Sequence, residues 1–245
     1  MKRWAGLLLI GCLAVAGCQQ ADRGGESGGG ASIDGLQFGE TFYARWTDVT
    51  RHPAGVRPLN DRDLGRVVGQ VVANRADEPV ESGDPFRNLE ATFLKVGTPV
   101  YAVTGYPTSF RLAARRDGKL GLYEPWESPT ARTGADLLGG INGKVRHIGV
   151  YTDHNLRPLG AIRDQRQVKR LVDLMLRAPL KAQDPAASEK EYELYVLTFH
   201  LADGTGVSRS FNAATGFVAG GIVVPKPFTA AIISAVGRNR AVSQP

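Results

Sequence analysis

The chain predicts an α+β fold: a small β-barrel or roll, then an antiparallel sheet with two helices on one face in the order ββαβββα. Three observations predict it. Short β-branched stretches broken by Gly and Pro fill the first half of the chain, a composition that favours strands over helices. One segment places Val168, Leu171, Val172 and Met175 at i, i+3, i+4 and i+7, the repeat of a single helix face. Further on, Tyr195, Leu197, Phe199 and Leu201 alternate, the period of a strand with one buried side.

The first block runs over 36–128 and is read as β-rich. Phe42, Ala44 and Trp46 alternate with Tyr43 and Arg45. Residues 64–74 (LGRVVGQVVAN) are β-branched and too interrupted by Gly for a good helix. A loop with Pro79, Gly83 and Pro85 follows, then strands at 91–94 and 98–106. Strands at 110–114 and 120–123 flank Asp117-Gly118, a strong hairpin signal. Residues 129–143, with Pro129, Gly134, Gly139, Gly140 and Gly143, read as a linker containing at most one helical turn.

The second block, 144–240, is clearer. A strand at 144–151 turns through 152–155 into a return strand at 159–162. Asp164 stands three residues before Gln167, the spacing of a capping box. The helix that follows must stop at Pro179, because the residue before a proline is pushed out of helical geometry. Strands at 193–201, 207–211 and 217–224 form a meander through Asp203-Gly204 and the 212–216 turn. Pro227 suits a first helical position. A stripe of Phe228, Ala231, Ile232, Ala235 and Val236 follows, with Gly237 placed beyond the helix end.

The start of the chain carries an address. Lys2 and Arg3 precede an apolar run over 7–16, and Val15-Ala16-Gly17-Cys18 closes it. A run of roughly ten apolar residues is too short to span a bilayer. This segment resembles the lipobox of bacterial lipoproteins. The resemblance implies a signal peptide over 1–17, cleavage before Cys18 and acylation of its sulfur. It places the mature protein on the extracytoplasmic side of the cell membrane, held by acyl chains. Residues 18–35, rich in Gly and Ser, read as a flexible spacer. Gly97-Thr98-Pro99-Val100-Tyr101, Leu159-Gly160-Ala161-Ile162-Arg163-Asp164, Asp203-Gly204-Thr205 and Gly221-Ile222-Val223-Val224-Pro225 also resemble uncharacterised lipoproteins of Gram-positive, Bacillus-like bacteria. That likeness implies an envelope location and transfers no catalytic residue.

Composition excludes several chemistries. Cys12 and Cys18 are the two cysteines, one in the leader and one at the lipid site. The mature body thus has no disulfide partner, no thiolate metal site and no cysteine nucleophile. Net charge is +6, and loss of Lys2 and Arg3 with the leader leaves a modest surplus suited to an anionic membrane surface. The basic residues are dispersed, which argues against nucleic acid. His147 and His154 bracket a strand and turn beside Asp153, while His52 and His200 are remote in sequence. No pair has zinc-ligand spacing. Asp203-Gly204-Thr205-Gly206 reads as a hairpin turn, since the inserted glycine breaks the aspartic-protease pattern and no second copy supplies a paired carboxylate. The glycines of 139–143 lead into a strand and not into the helix N-terminus that a phosphate cradle needs. Ser208 and Ser210 alternate on what reads as a solvated strand face. The sequence thus assigns no catalytic residue, no metal ligand and no cofactor.

The binding candidates are Arg166, Lys169, Arg170 and Arg177, opposite the apolar stripe of the helix. Such a face fits lipid headgroups or an anionic wall polymer. A solvated helix with Asp173 paired to Lys169 and Arg177 accounts for the same residues. Tyr101, Tyr106, Tyr123 and Trp126 cluster late in the first block, as a sugar-stacking surface or, more simply, as core. The reading that unites these features is a membrane-anchored extracytoplasmic lipoprotein, a non-catalytic binding or scaffold module for an envelope protein or anionic wall component. The rival is an extracytoplasmic hydrolase acting on the cell envelope, its site assembled from residues distant in sequence. A deep pocket gathering His147, His154 or several carboxylates would mark the hydrolase. A shallow exposed basic patch would mark the binding module.

Overall fold

A computed structural model describes residues 33–45, 53–76, 85–181 and 194–242, and among these residues fourteen strands form two sheets accompanied by three α-helices. The segment 15–18 that resembles a lipobox, Trp46 and His52 lie outside the described residues.

The first sheet has eight strands: β1 (Gly35–Phe38), β2 (Thr41–Ala44), β3 (Leu64–Gln70), β4 (Ala73–Asn74), β5 (Glu90–Ala91), β6 (Pro99–Val103), β7 (Leu112–Arg116) and β8 (Lys119–Glu127). Their order is β3-β6-β7-β8-β2-β1-β5-β4. The sheet curls into a half-barrel, and β3 and β4 remain as its two ends, so of the expected barrel or roll it is not the closed barrel that forms. The β7–β8 hairpin turns through Asp117 and Gly118 at φ of 50° and 77°, the two positive φ values that a two-residue turn demands. The β-branched stretch 64–74 forms two strands, β3 and β4. After Gln70 the chain leaves β3, and β4 pairs in parallel with β5 at the other end of the sheet. Leu36, Tyr43, Val100, Leu112 and Tyr123 fill the core beneath this sheet.

The 129–143 stretch is structured where a linker was expected. It holds α1 (Gly134–Leu138), capped by Thr133 and Asp136, and a 3-10 turn over Gly139–Ile141. Leu137, Leu138 and Ile141 are buried in the larger core. Glycine allows this packing: a Cβ on Gly134 would sit 2.2 Å from the Met175 carbonyl oxygen. Asp34, placed in the spacer by composition, is buried and immediately precedes β1. The described residues from Ile33 onward belong to one compact unit.

The second sheet is antiparallel, with β9 (Val145–Thr152), β10 (Pro158–Ile162), β11 (Leu194–Leu201), β12 (Gly206–Asn212), β13 (Phe217–Val218) and β14 (Ile222–Val223) in the order β10-β9-β11-β12-β13-β14. The expected third meander strand is two short ones, because Gly220 and Gly221 turn the chain at φ of 96° and 86°. The order is therefore ββαββββα. Helix α2 (Gln165–Arg177) packs on β9, and α3 (Lys226–Val242) packs on β10 and β9 beside it. The Asp164 side chain accepts from the Gln167 amide at 2.8 Å, and α2 ends before Pro179. Helix α3 continues through Gly237, since a glycine inside a helix weakens it without stopping it.

One core joins Ile148, Val150, Leu197, Phe199, Leu171, Met175, Phe228 and Ile232. The other side of β11 carries Val196, Thr198 and His200, and these are buried as well. Both faces of this central strand are therefore covered.

Candidate functional site

Two regions carry the concentrated charge of this fold: the outer face of α2, and a polar layer under the segment 53–59.

On α2, positions 166, 169, 170 and 177 fall on one side because eleven residues make close to three helical turns. Arg166, Lys169, Arg170 and Arg177 are exposed and line one shallow surface depression with Asp173 and Leu174. Burial of Val168, Leu171, Val172 and Met175 on the opposite side fixes this orientation. Among the described residues no ion pair joins Asp173 to Lys169 or Arg177. The expected i±4 pairing is thus not formed, and four cations face solvent around one carboxylate.

The polar layer is built from residues remote in sequence. Arg111 is fully buried and donates from Nε and an Nη to Glu124 Oε1 at 3.1 and 2.8 Å. It also donates to the Thr205 hydroxyl at 2.7 Å and the Gly206 carbonyl at 2.8 Å. Arg209 donates to Glu124 Oε2 at 3.0 Å and to the Pro125 carbonyl at 3.1 Å. Both Glu124 oxygens are therefore held by guanidinium groups, and the carboxylate is a structural anchor between β7, β8 and β12. Burial pushes the Arg209 pKa down, with Glu124 pulling against it. Asp34 accepts from the Tyr123 hydroxyl at 3.0 Å and from Arg116 at 3.0 Å. Tyr123, offered by the sequence as a stacking aromatic, is wholly buried and its pKa is raised by desolvation.

His147 and His200 face each other across β9 and β11. Their rings stack with centroids 4.0 Å apart and planes at 10°. The His200 Nε2 and the Tyr151 hydroxyl are 3.1 Å apart. Burial, the charge of His147 and that of Arg163 push the His200 pKa down to about 4. Burial and Arg163 also lower that of His147. Two stacked parallel rings direct their lone pairs along separate planes, which suits packing and not shared ligation. His154 is exposed on the 152–155 turn, apart from this pair in the sheet. No group of three His, Cys, Asp or Glu is placed to hold a metal among the described residues.

Segment 53–59 covers the polar layer. Arg57 makes a two-point contact with Asp63 at 2.7 and 2.8 Å, and its Nε donates to the Asp203 carbonyl at 2.7 Å. This bidentate contact raises the Arg57 pKa and lowers that of Asp63. Asp203 behaves as the turn residue expected of it: Oδ1 accepts from the Thr205 amide at 2.8 Å and the Thr205 hydroxyl at 2.7 Å. Its Oδ2 accepts from the Tyr106 hydroxyl at 2.8 Å. Ser208 is buried and bonded to Thr198 at 2.9 Å, so the expected solvated serine face is instead an inner one. The reason is the cover from 53–59, which no local pattern in the sequence places over β12.

Sequence reasoning missed Asp34, Arg111, Glu124 and Arg209. The available signal was a charge inside an apolar strand pattern, as in Phe110-Arg111-Leu112 and Val207-Ser208-Arg209-Ser210-Phe211.

No family model, curated protein or solved structure matches the chain. No helix among the described residues is long and apolar enough to cross a membrane.

Proposed function

We propose that this protein is a lipid-anchored extracytoplasmic lipoprotein, attached to the cell membrane through Cys18, and a non-catalytic module that binds an anionic polymer of the envelope. The observation that carries the binding half is the α2 face, where Arg166, Lys169, Arg170 and Arg177 are exposed without an ion pair among the described residues. Exposed like charges repel one another unless a counter-charge approaches, and a polyanion supplies many at once. The tether half rests on the lipobox resemblance at Val15-Ala16-Gly17-Cys18. A tether of that kind keeps the protein near the envelope, so a modest intrinsic affinity suffices through effective concentration.

Co-sedimentation of the full chain with isolated cell walls, before and after removal of their anionic polymer, tests the binding half. Binding is expected to be retained on intact walls and lost from stripped ones. It should weaken as salt rises, because exposed charges are screened beyond about 10 Å at 0.1 M ionic strength. Arg166→Glu with Arg170→Glu should reduce binding at least tenfold. Equal binding to stripped walls, or full binding by the double variant, contradicts the reading.

A further inference from the structure

We propose that the cleft between β8 and β12, beneath 53–59, is a binding site for a small carboxylate borne on a short apolar group. The cleft is partly enclosed, with a volume of about 100 Å³, the room of about three waters. Its charged lining residues are Arg45, Glu124 and Arg57, and Arg57 is already paired with Asp63. Ser208 and Thr205 line it as well, and Val56, Leu59, Leu120 and Leu122 give it apolar walls.

Arg45 decides the sign of the ligand. It is 7% exposed, and its guanidinium lies over Gly121, where a Cβ would come within 2.7 Å of Nε. Its described carboxylate partner is Asp34 at 3.6 Å, beyond hydrogen-bond reach. Asp34 is already occupied by Arg116 and by Tyr123, whose hydroxyl also lies against Arg45. Glu124 cannot compensate Arg45, since Arg111 and Arg209 hold both its oxygens. Among the described residues Arg111 and Arg209 share Glu124, and Arg45 shares Asp34 with Arg116, which also reaches Asp117. A buried cation without a full counter-charge is costly, and an anion in the cleft relieves it. A planar carboxylate matches the guanidinium fork. The four apolar walls select one that carries a small hydrocarbon group.

The carboxylate can belong to a free short-chain acid or to the end of a peptide, and calorimetric titration of the full chain separates these sources. Isobutyrate is expected to bind saturably and about tenfold more tightly than acetate, with chloride as the ionic control. N-acetyl-alanyl-alanine is the second arm: binding there assigns a chain terminus, and binding of isobutyrate alone assigns a free acid. Arg45→Met should abolish binding. Leu122→Trp fills the cleft without removing a charge, so loss of binding in that folded variant supports the site even where Arg45→Met does not fold. Reversing Arg166 and Arg170 on α2 should leave the titration unchanged. Absence of saturable binding by either carboxylate, or undiminished binding by Leu122→Trp, overturns the proposal.

Discussion

At the scale of single residues, the stability of this protein rests on charges that are buried in company. Glu124 is the clearest case, with one carboxylate answering Arg111 and Arg209 inside the fold. Breaking a buried pair leaves an uncompensated charge and costs about 3–5 kcal/mol. Glu124→Gln should therefore destabilise the fold to urea by an amount in that range, and a loss under about 1 kcal/mol would show the network to be dispensable. His200 gives the pH dependence its sign. Its pKa falls from 6.5 in the unfolded chain to about 4 in the fold, so between those values the unfolded state binds more protons. Its contribution is complete above about pH 6.5 and is lost as pH falls toward 4. A tenfold change in proton affinity is worth about 1.4 kcal/mol, so the full effect is on the order of 3 kcal/mol. Denaturation at about pH 7.5 and about pH 5 should show this loss in the parent and a flatter response in His200→Gln. Below that window Asp136 takes over, because the Arg132 and Thr133 amides hold its pKa down.

At the scale of elements, legibility followed the period of the side chains. Helix α2 was readable at both ends, since its stripe, its Asp164 cap and Pro179 are all local signals. The strand β11 was readable for the same reason on its helix-facing side. What was not legible was the other side, where Ser208 of β12 reads as solvated but is buried against Thr198 beneath 53–59. Glycine misled at 129–143: Gly134 and Gly140 are close-approach positions, against Met175 and Phe110, and not linker residues. The same reasoning applies at Gly160, where β10 meets α3. A Cβ there would stand 2.4 Å from the Ala235 carbonyl oxygen, and helix backbone cannot step aside cheaply. Gly160→Ala should destabilise by about 1–3 kcal/mol, the range of overpacking. Gly139→Ala, with open space around it and helical backbone, should stay within about 0.5 kcal/mol. Equal effects in thermal melts would refute the packing account.

At the scale of the whole molecule, the two sheets are joined by the charge layer and by α1, so the blocks expected from composition share one compact unit. The charge layer was invisible to a local reading: Arg111 and Arg209 meet Glu124 across separations of 13 and 85 residues. The α2 face was visible in advance, because a helix period alone sets which residues share it. What the proposed function adds to this body is a location, and that location depends on the sulfur of Cys18. Mass spectrometry of the N-terminal peptide from the membrane fraction tests it most directly. The account predicts a chain that begins at Cys18 and carries a thioether-linked diacylglyceryl group. An unmodified Cys18 thiol in a chain that still begins at Met1 would contradict it.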